Sequence, residues 1–258
     1  MCLIVLAWQV DPGFDLLLAA NRDEFHARPT EPAHWWRTPE GLFAGRDRQA
    51  GGAWCGADRQ GRFAAVTNVR ELAAPAGPRS RGALVRDYFA QNGSAADWAE
   101  YVAATGAEYA PFNLLVGDSE RLYFVSNRDT ARPRRVEPGI LAVSNGHWGE
   151  PWPKTERARH KLQACIAQSD LSAEALLALL CDVEPAPGEA LPETGFPQAH
   201  ERFLSPMFIR GDRYGTRAST VIRRRPAHDL QFDECGFDPM GEPVHRIQQH
   251  WSLEPCST

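Results

Sequence analysis

Two short, wholly apolar runs near the amino terminus constrain the fold more than any other feature of this chain. Leu3-Ile4-Val5-Leu6-Ala7-Trp8 and Leu16-Leu17-Leu18-Ala19-Ala20 are joined through Asp11-Pro12-Gly13. Uninterrupted apolar runs of this length, bounded by turn residues, read as strands buried on both faces. Proline pre-sets the backbone and glycine permits a tight reversal, so the pair reads as a hairpin. The first strand carries a thiol at its tip, Cys2. With Met1 removed, Cys2 becomes an N-terminal nucleophile: one residue then holds both the thiol and an α-amino group of pKa roughly 7.7 to 8.0 that can act as its base. Free cysteine is also among the most buried residue types, so position 2 alone does not separate chemistry from packing.

Composition bounds the rest. Of 258 residues, 43% are hydrophobic and 24% charged, which is enough to build a core without disulfide or metal staples, and a single domain over 1–258 is the expectation. The net charge of -5 leaves no basic surplus for phosphate, which argues against nucleic acid as the main partner. The six cysteines at 2, 55, 165, 181, 235 and 256 show neither C-x-x-C nor a clustered Cys/His set, so no zinc site or disulfide framework is expected. No apolar run approaches the ~20 residues of a transmembrane helix. Acidic Asp11 precedes the first basic residue, Arg22, so the start does not read as a secretory signal, and a reducing cytoplasm is the expected setting.

Further strands are predicted at Leu42 to Ala44, Trp54 to Gly56, Phe63 to Asn68, Phe112 to Gly117, Leu122 to Asn127, Ile140 to Ser144, Tyr214 to Ile222 and Leu230 to Phe232. Between them lie two helical pairs. Ser80 and Ser94 are the predicted caps of the first pair, with Gly106 as a left-handed stop. Pro153 suits the first turn of the third helix, and Asp170 is the predicted cap of the fourth. The Pro-rich stretch Glu184 to Pro197 reads as a surface loop of the length that often forms lids. Helix layers around sheet fit this order.

Polar residues gather at strand ends. Arg22 and Asp23 follow the second strand, Asn68 ends Phe63 to Thr67, Asn145 ends Ile140 to Ser144, and Arg217 lies in the last long strand. Beside a thiol each has a use. Arginine favours the thiolate, which suits Arg22 and Arg217. Asparagine amides donate to an oxyanion, which suits Asn68 and Asn145. A carboxylate near the α-amino group would orient it, which suits Asp23. Each also has an ordinary structural use.

Cys2, the string Ala20-Asn21-Arg22-Asp23-Glu24-Phe25 and Arg28-Pro29 resemble the family named for its Asn-Arg-Asp-Glu motif, also called the transport and Golgi organisation family. The resemblance continues through Gly51-Gly52-Ala53-Trp54, Ala65-Val66-Thr67-Asn68, Val143-Ser144-Asn145-Gly146 and Tyr214-Gly215-Thr216-Arg217. That family is similar in fold to the cysteine N-terminal nucleophile hydrolases, which include penicillin V acylase and conjugated bile acid hydrolase. The resemblance implies an α+β fold, a four-layer α-β-β-α sandwich of two mostly antiparallel sheets flanked by helix pairs. It also implies Cys2 as nucleophile, Arg22 and Arg217 around the thiol, Asp23 on the amine, and Asn68 and Asn145 near the oxyanion. In the acylases two residues separate the arginine from the aspartate, whereas Arg22 and Asp23 are adjacent. Adjacent strand residues point to opposite faces, so Asp23 or Glu24 is left as the acid at the site, with Asp23 preferred.

Two functions follow from the resemblance. One is hydrolysis of a non-peptide amide or thioester bond, with no cofactor required. The other is a non-catalytic carrier for haem, an acyl-CoA or another lipid, with the same cleft holding haem as cargo. Trp35, Trp36, Trp54, Trp148 and Trp152 lie near the motifs and offer walls for a flat or greasy ligand as readily as ordinary packing. His26, His34 and His147 have no diagnostic ligand spacing, and His245 and His250 are five apart and would not share a helical face, so no haem ligand or metal is assigned. The partner is a small molecule, an amide, an acyl-CoA or haem, and homo-oligomerisation stays open.

Overall fold

The computed structural model describes residues 2–129 and 132–254. Met1 and Cys256 lie outside them. Thirteen strands and five α-helices are described. In chain order they are β1 (Cys2–Trp8), β2 (Leu16–Phe25), β3 (Thr30–Trp35), β4 (Leu42–Asp47), β5 (Cys55–Asp58) and β6 (Phe63–Asn68). The helices α1 (Arg81–Ala90) and α2 (Ala95–Thr105) come next, followed by β7 (Phe112–Gly117), β8 (Leu122–Ser126), β9 (Arg134–Arg135) and β10 (Gly139–Val143). The chain continues with α3 (Pro153–Ala167), α4 (Ala173–Leu179), α5 (Gln198–Phe203), β11 (Tyr214–Arg225), β12 (Asp229–Phe237) and β13 (Pro243–Ser252).

The strands form two sheets in which every pairing is antiparallel. One has the order β10-β1-β2-β11-β12-β13 and the other β3-β4-β5-β6-β7-β8-β9. The side-chain period of two explains why β1 reads as apolar throughout. Ile4, Leu6 and Trp8 enter the core between the sheets, while Leu3, Val5 and Ala7 enter the core under α3 and α4. On the second sheet Ala64, Val66, Leu114 and Val116 meet α1 and α2. Each fully buried Leu or Val contributes roughly 1.5–3 kcal/mol, so both faces of each sheet must be covered. The result is the expected α-β-β-α sandwich.

Several local expectations change. Ser80 and Ser94 cap α1 and α2, Ser94 within a reciprocal capping box with Asp97. Gly106 is right-handed (φ -56) and opens a 3-10 turn; its need is close packing, since a Cβ there would stand 3.1 Å from the Asn127 Cβ. The cap of α4 is Ser172, whose Oγ accepts from the Ala175 N–H, while Asp170 holds the Ser172 N–H and hydroxyl. His245 and His250 lie on β13, where odd spacing puts them on opposite faces. The stretch 184–197 carries a 3-10 turn and leads into α5, and Glu201 of α5 pairs with Arg70 in an ion pair whose side chains are 2% and 3% exposed. No helix among the described residues is long and apolar enough to cross a membrane.

Candidate functional site

Cys2 begins β1, and its Cα partner across the ladder is Arg22. Partners in register share a face, so both look into the gap between the sheets, where a cavity of about 230 Å³ opens. Cys2, Arg22, Asp23, Trp54, Asn68 and Arg81 are among its walls. The Arg22 guanidinium lies 4.5 Å from the centre of the Trp54 ring and donates to the Thr30 hydroxyl at 3.4 Å. The N-terminus of α1 reaches this cavity because two glycines let backbones touch. A Cβ on Gly52 would stand 2.4 Å from the Gly82 carbonyl carbon.

Of the two candidate acids, Asp23 is the one whose backbone and charge bear on the Cys2 thiol. Its backbone hydrogen-bonds the Cys2 sulfur, while its carboxylate turns to the other face of β2 and accepts from Thr216 Oγ1 at 2.7 Å. Tyr214 donates to the Asp23 carbonyl at 3.0 Å. Glu24 lies at the rim, 3.7 Å from Arg28. The adjacency of Arg22 and Asp23 therefore needs no bend in β2, because the two residues serve opposite faces. The irregularity lies in the partner strand, between Thr216 and Ala218 of β11, which throws Arg217 out of the ladder. Arg217 donates to the Arg28 carbonyl and to Thr30 Oγ1, and it does not line the Cys2 cavity. It stands behind Arg22 and braces the turn that follows β2.

Asn68 lines the cavity; Asn145 stands behind it. The Asn145 side chain is fully buried and donates to the Asn68 carbonyl at 2.9 Å and to Asn68 Oδ1 at 3.2 Å. Its segment is tied down from both sheets. Ser144 donates its hydroxyl to the Cys2 carbonyl at 2.8 Å, Thr67 donates to the Ser144 carbonyl at 2.5 Å, and Asn113 donates to the Ser144 and Gly146 carbonyls. Thr67 and Ser144 stood in the strings that carried the family resemblance, but nothing in the sequence singled out Asn113, Arg81 or Lys154.

Lys154, the second residue of α3, is 2% exposed beneath Asp23 and donates to the Leu204 carbonyl at 3.2 Å. Burial pulls its ammonium down to about 8, against the opposing pull of Asp23. Burial likewise pushes the Asp23 carboxyl up, with Lys154 the largest restraint. For Cys2 burial is again the largest influence, and it raises the thiol above its ordinary range although Arg22 acts in the other direction. The expected thiolate-favouring effect of arginine is present at Arg22 and is outweighed.

Of the five tryptophans considered, only Trp54 reaches this cavity. Trp35 packs on Phe43 and Trp251, Trp36 donates to the Ala44 carbonyl inside the α1 and α2 core, Trp148 packs on Phe124, and Trp152 lies under the Arg70 guanidinium. None of His26, His34 and His147 lines the cavity.

This geometry has relatives. A conjugated bile acid hydrolase from Clostridium perfringens, known from a crystal structure of a mutant, is similar over 98% of this chain and 97% of its own, with a TM-score of 0.50 and 8% sequence identity; the likeness is one of fold. The chain is 29% identical to the Transport and Golgi organization protein 2 homolog of Bos taurus, covering 93% of this chain and 95% of the relative. It is 28% identical to the Homo sapiens homolog, covering 86% and 88%. The family model described as Transport and Golgi organisation 2 matches residues 1–239, nearly the whole chain, and the match includes Cys2, Arg22, Asp23, Asn68, Asn145 and Arg217. The chain belongs to the Transport and Golgi organisation 2 family.

Proposed function

We propose that the protein hydrolyses a non-peptide amide or thioester bond, with Cys2 as the N-terminal nucleophile once Met1 is removed. The observation that carries this reading is the meeting of Cys2, Arg22, Asp23 and Asn68 at one polar cavity between the sheets. The α-amino group takes the thiol proton as sulfur attacks the carbonyl carbon. The new oxyanion is met by the Asn68 amide, which Asn145 holds in place, and Arg22 supplies positive charge beside the sulfur. The proton then passes to the departing amine or thiol, leaving an acyl thioester on Cys2. Water, activated by the same amine, releases the acid and restores the thiol. Asp23 orients the amine, Lys154 and Thr216 hold Asp23, and Arg217 holds the turn and the Thr30 hydroxyl to which Arg22 donates, so the last three act through their neighbours.

The cavity's size and lining favour this over the carrier. At about 230 Å³ it lies below the roughly 300–1,000 Å³ of sites that enclose drug-sized ligands, and charged side chains crowd its wall. Intact-mass analysis of the purified protein with a thiol-reactive acylating probe decides between them. Loss of Met1, with one adduct abolished by Cys2→Ala, is the expected result. A retained Met1 with a haem-dependent absorption band would instead establish haem carriage, and a retained Met1 with a stable acyl-CoA complex would establish lipid carriage.

A further inference from the structure

The Cys2 cavity is one end of a longer row. Cα partners run from Cys2 to Arg22, Ala218, Gly236 and His245 across β1, β2, β11, β12 and β13, so these five positions share the inner face at one end of the sandwich. Between Arg22 and His245 the row carries only an alanine and a glycine. A second chamber of about 180 Å³ lies there. Its walls include Arg22, Trp54, Arg217, Ala218, Glu234 and His245. The stacked pair Arg22 and Trp54 therefore separates the two cavities and belongs to both. The His245 ring lies over the Gly236 backbone, where a Cβ would come within 1.9 Å of it.

Three polar atoms of the residues around this chamber lack a hydrogen-bond partner among the described residues. Glu234 is 1% exposed; its Oε1 accepts the Ala33 N–H at 2.8 Å and stands 3.6 Å from His245 Nε2. Glu234 Oε2, His245 Nε2 and Arg217 Nε are buried with no hydrogen-bond partner among the described residues. Buried polar atoms are seldom orphaned without a ligand or water to meet them. Here an acceptor and donors of opposite charge face one small space. A lone anion would be repelled by Glu234, and a lone cation by Arg22 and Arg217.

We propose that this chamber binds the zwitterionic head of a small amino acid, its ammonium on Glu234 Oε2 beside His245 and its carboxylate toward Arg217 and Arg22. None of the groups that would hold it is Cys2, so the site stands whether or not the thiol performs hydrolysis. Ligand-observed saturation-transfer NMR on the full chain tests it, with L-alanine, L-serine and L-glutamate as probes and n-propylamine and propionate as singly charged controls. The expected result is binding of at least one amino acid, no comparable binding of either control, and unchanged binding by Cys2→Ala protein. Glu234→Gln, which keeps the acceptor for Ala33, is expected to weaken binding about tenfold or more, as loss of a charge-assisted hydrogen bond does. Ala218→Leu, which fills the floor of the chamber, is expected to abolish it in protein of unchanged far-UV circular dichroism. Absence of amino-acid binding at millimolar concentration would overturn the proposal and leave water as the occupant. Equal binding of the singly charged controls, or wild-type binding by Ala218→Leu, would overturn it as well.

Discussion

Cys2 is half-buried at the start of β1, and the desolvation that raises the pKa of its thiol has a direct kinetic consequence. At neutral pH less of it is thiolate than of a free cysteine, so alkylation by iodoacetamide should be slower than for free cysteine at pH 7 and should climb about tenfold per unit of pH without levelling by pH 9. Peptide mass spectrometry across pH 6 to 10 reads this directly; a plateau near pH 7 would mean that Arg22 outweighs burial. The two asparagines divide differently from the sequence expectation of two donors at the oxyanion. Asn145 spends its amide on Asn68, so Asn145→Ala should slow acylation of Cys2 by about 10²-fold through a misplaced Asn68, nearly matching Asn68→Ala. Stopped-flow acylation of the two single variants and the double variant checks this, the double costing little more than either alone. The members of this site were legible because they end apolar strands within motif strings. Which face each occupies was not, since that depends on the β11 bulge at Arg217 and on Lys154 arriving from α3.

Strands whose burial shows as an apolar run were legible almost to the residue, as Phe63–Asn68 and Phe112–Gly117 are. Others were not, for identifiable reasons. The predicted end of β2 at Ala20 falls short because Asn21 to Glu24 are polar; they continue the strand because Asn21 donates to the Leu180 and Met207 carbonyls and Asp23 has Thr216. β13 is an edge strand of mostly exposed polar residues, and β3 carries Pro32, so neither shows an apolar signature. The Pro-rich stretch reads from the sequence as a surface loop of the length that often forms lids. Instead, Thr194 and Arg70 both reach Glu201, and Ala186 donates its N–H to Ser205 Oγ at 2.8 Å. Glu201→Gln removes the carboxylate that neutralises the buried Arg70 guanidinium, at a cost of about 3–5 kcal/mol. The expected outcome is a lower urea midpoint together with faster hydrogen exchange over residues 184–203; unchanged exchange there would show that other contacts hold the segment.

At the scale of the whole molecule, the two sheets are held together differently at their two ends. The Cys2 end carries the cavities and the hydrogen bonds of Ser144, Thr67 and Asn113. At the opposite end, where Trp8 and Arg224 both pair with Leu16, the Trp251 indole donates to the Asp58 carbonyl at 3.0 Å, and one arginine bridges the sheets with several bonds at once. Arg224 is 1% exposed, grips both Asp15 carboxylate oxygens at 2.9 and 3.1 Å, and donates to the Gly61 and Asp118 carbonyls at 2.6 and 2.8 Å. Gly61 and Asp118 belong to turns of the second sheet, so this guanidinium of the first sheet fastens one to the other. Its place in the sequence, among Arg223, Arg224 and Arg225, gave no sign of that, since a charge run ordinarily reads as a solvated surface. Arg224→Met keeps the volume and strands a carboxylate and two carbonyls, a loss of about 3 kcal/mol or more. For a chain this long each kcal/mol moves the melting temperature by about 2–4 °C, so a fall of roughly 6–12 °C is expected by calorimetry. Because the clasp lies at the far end of β1 from Cys2, the folded variant should alkylate at Cys2 with the wild-type rate and pH profile. A changed profile would mean that the inter-sheet gap at the cavity is set by the clasp, and that the two ends of the sandwich are mechanically coupled.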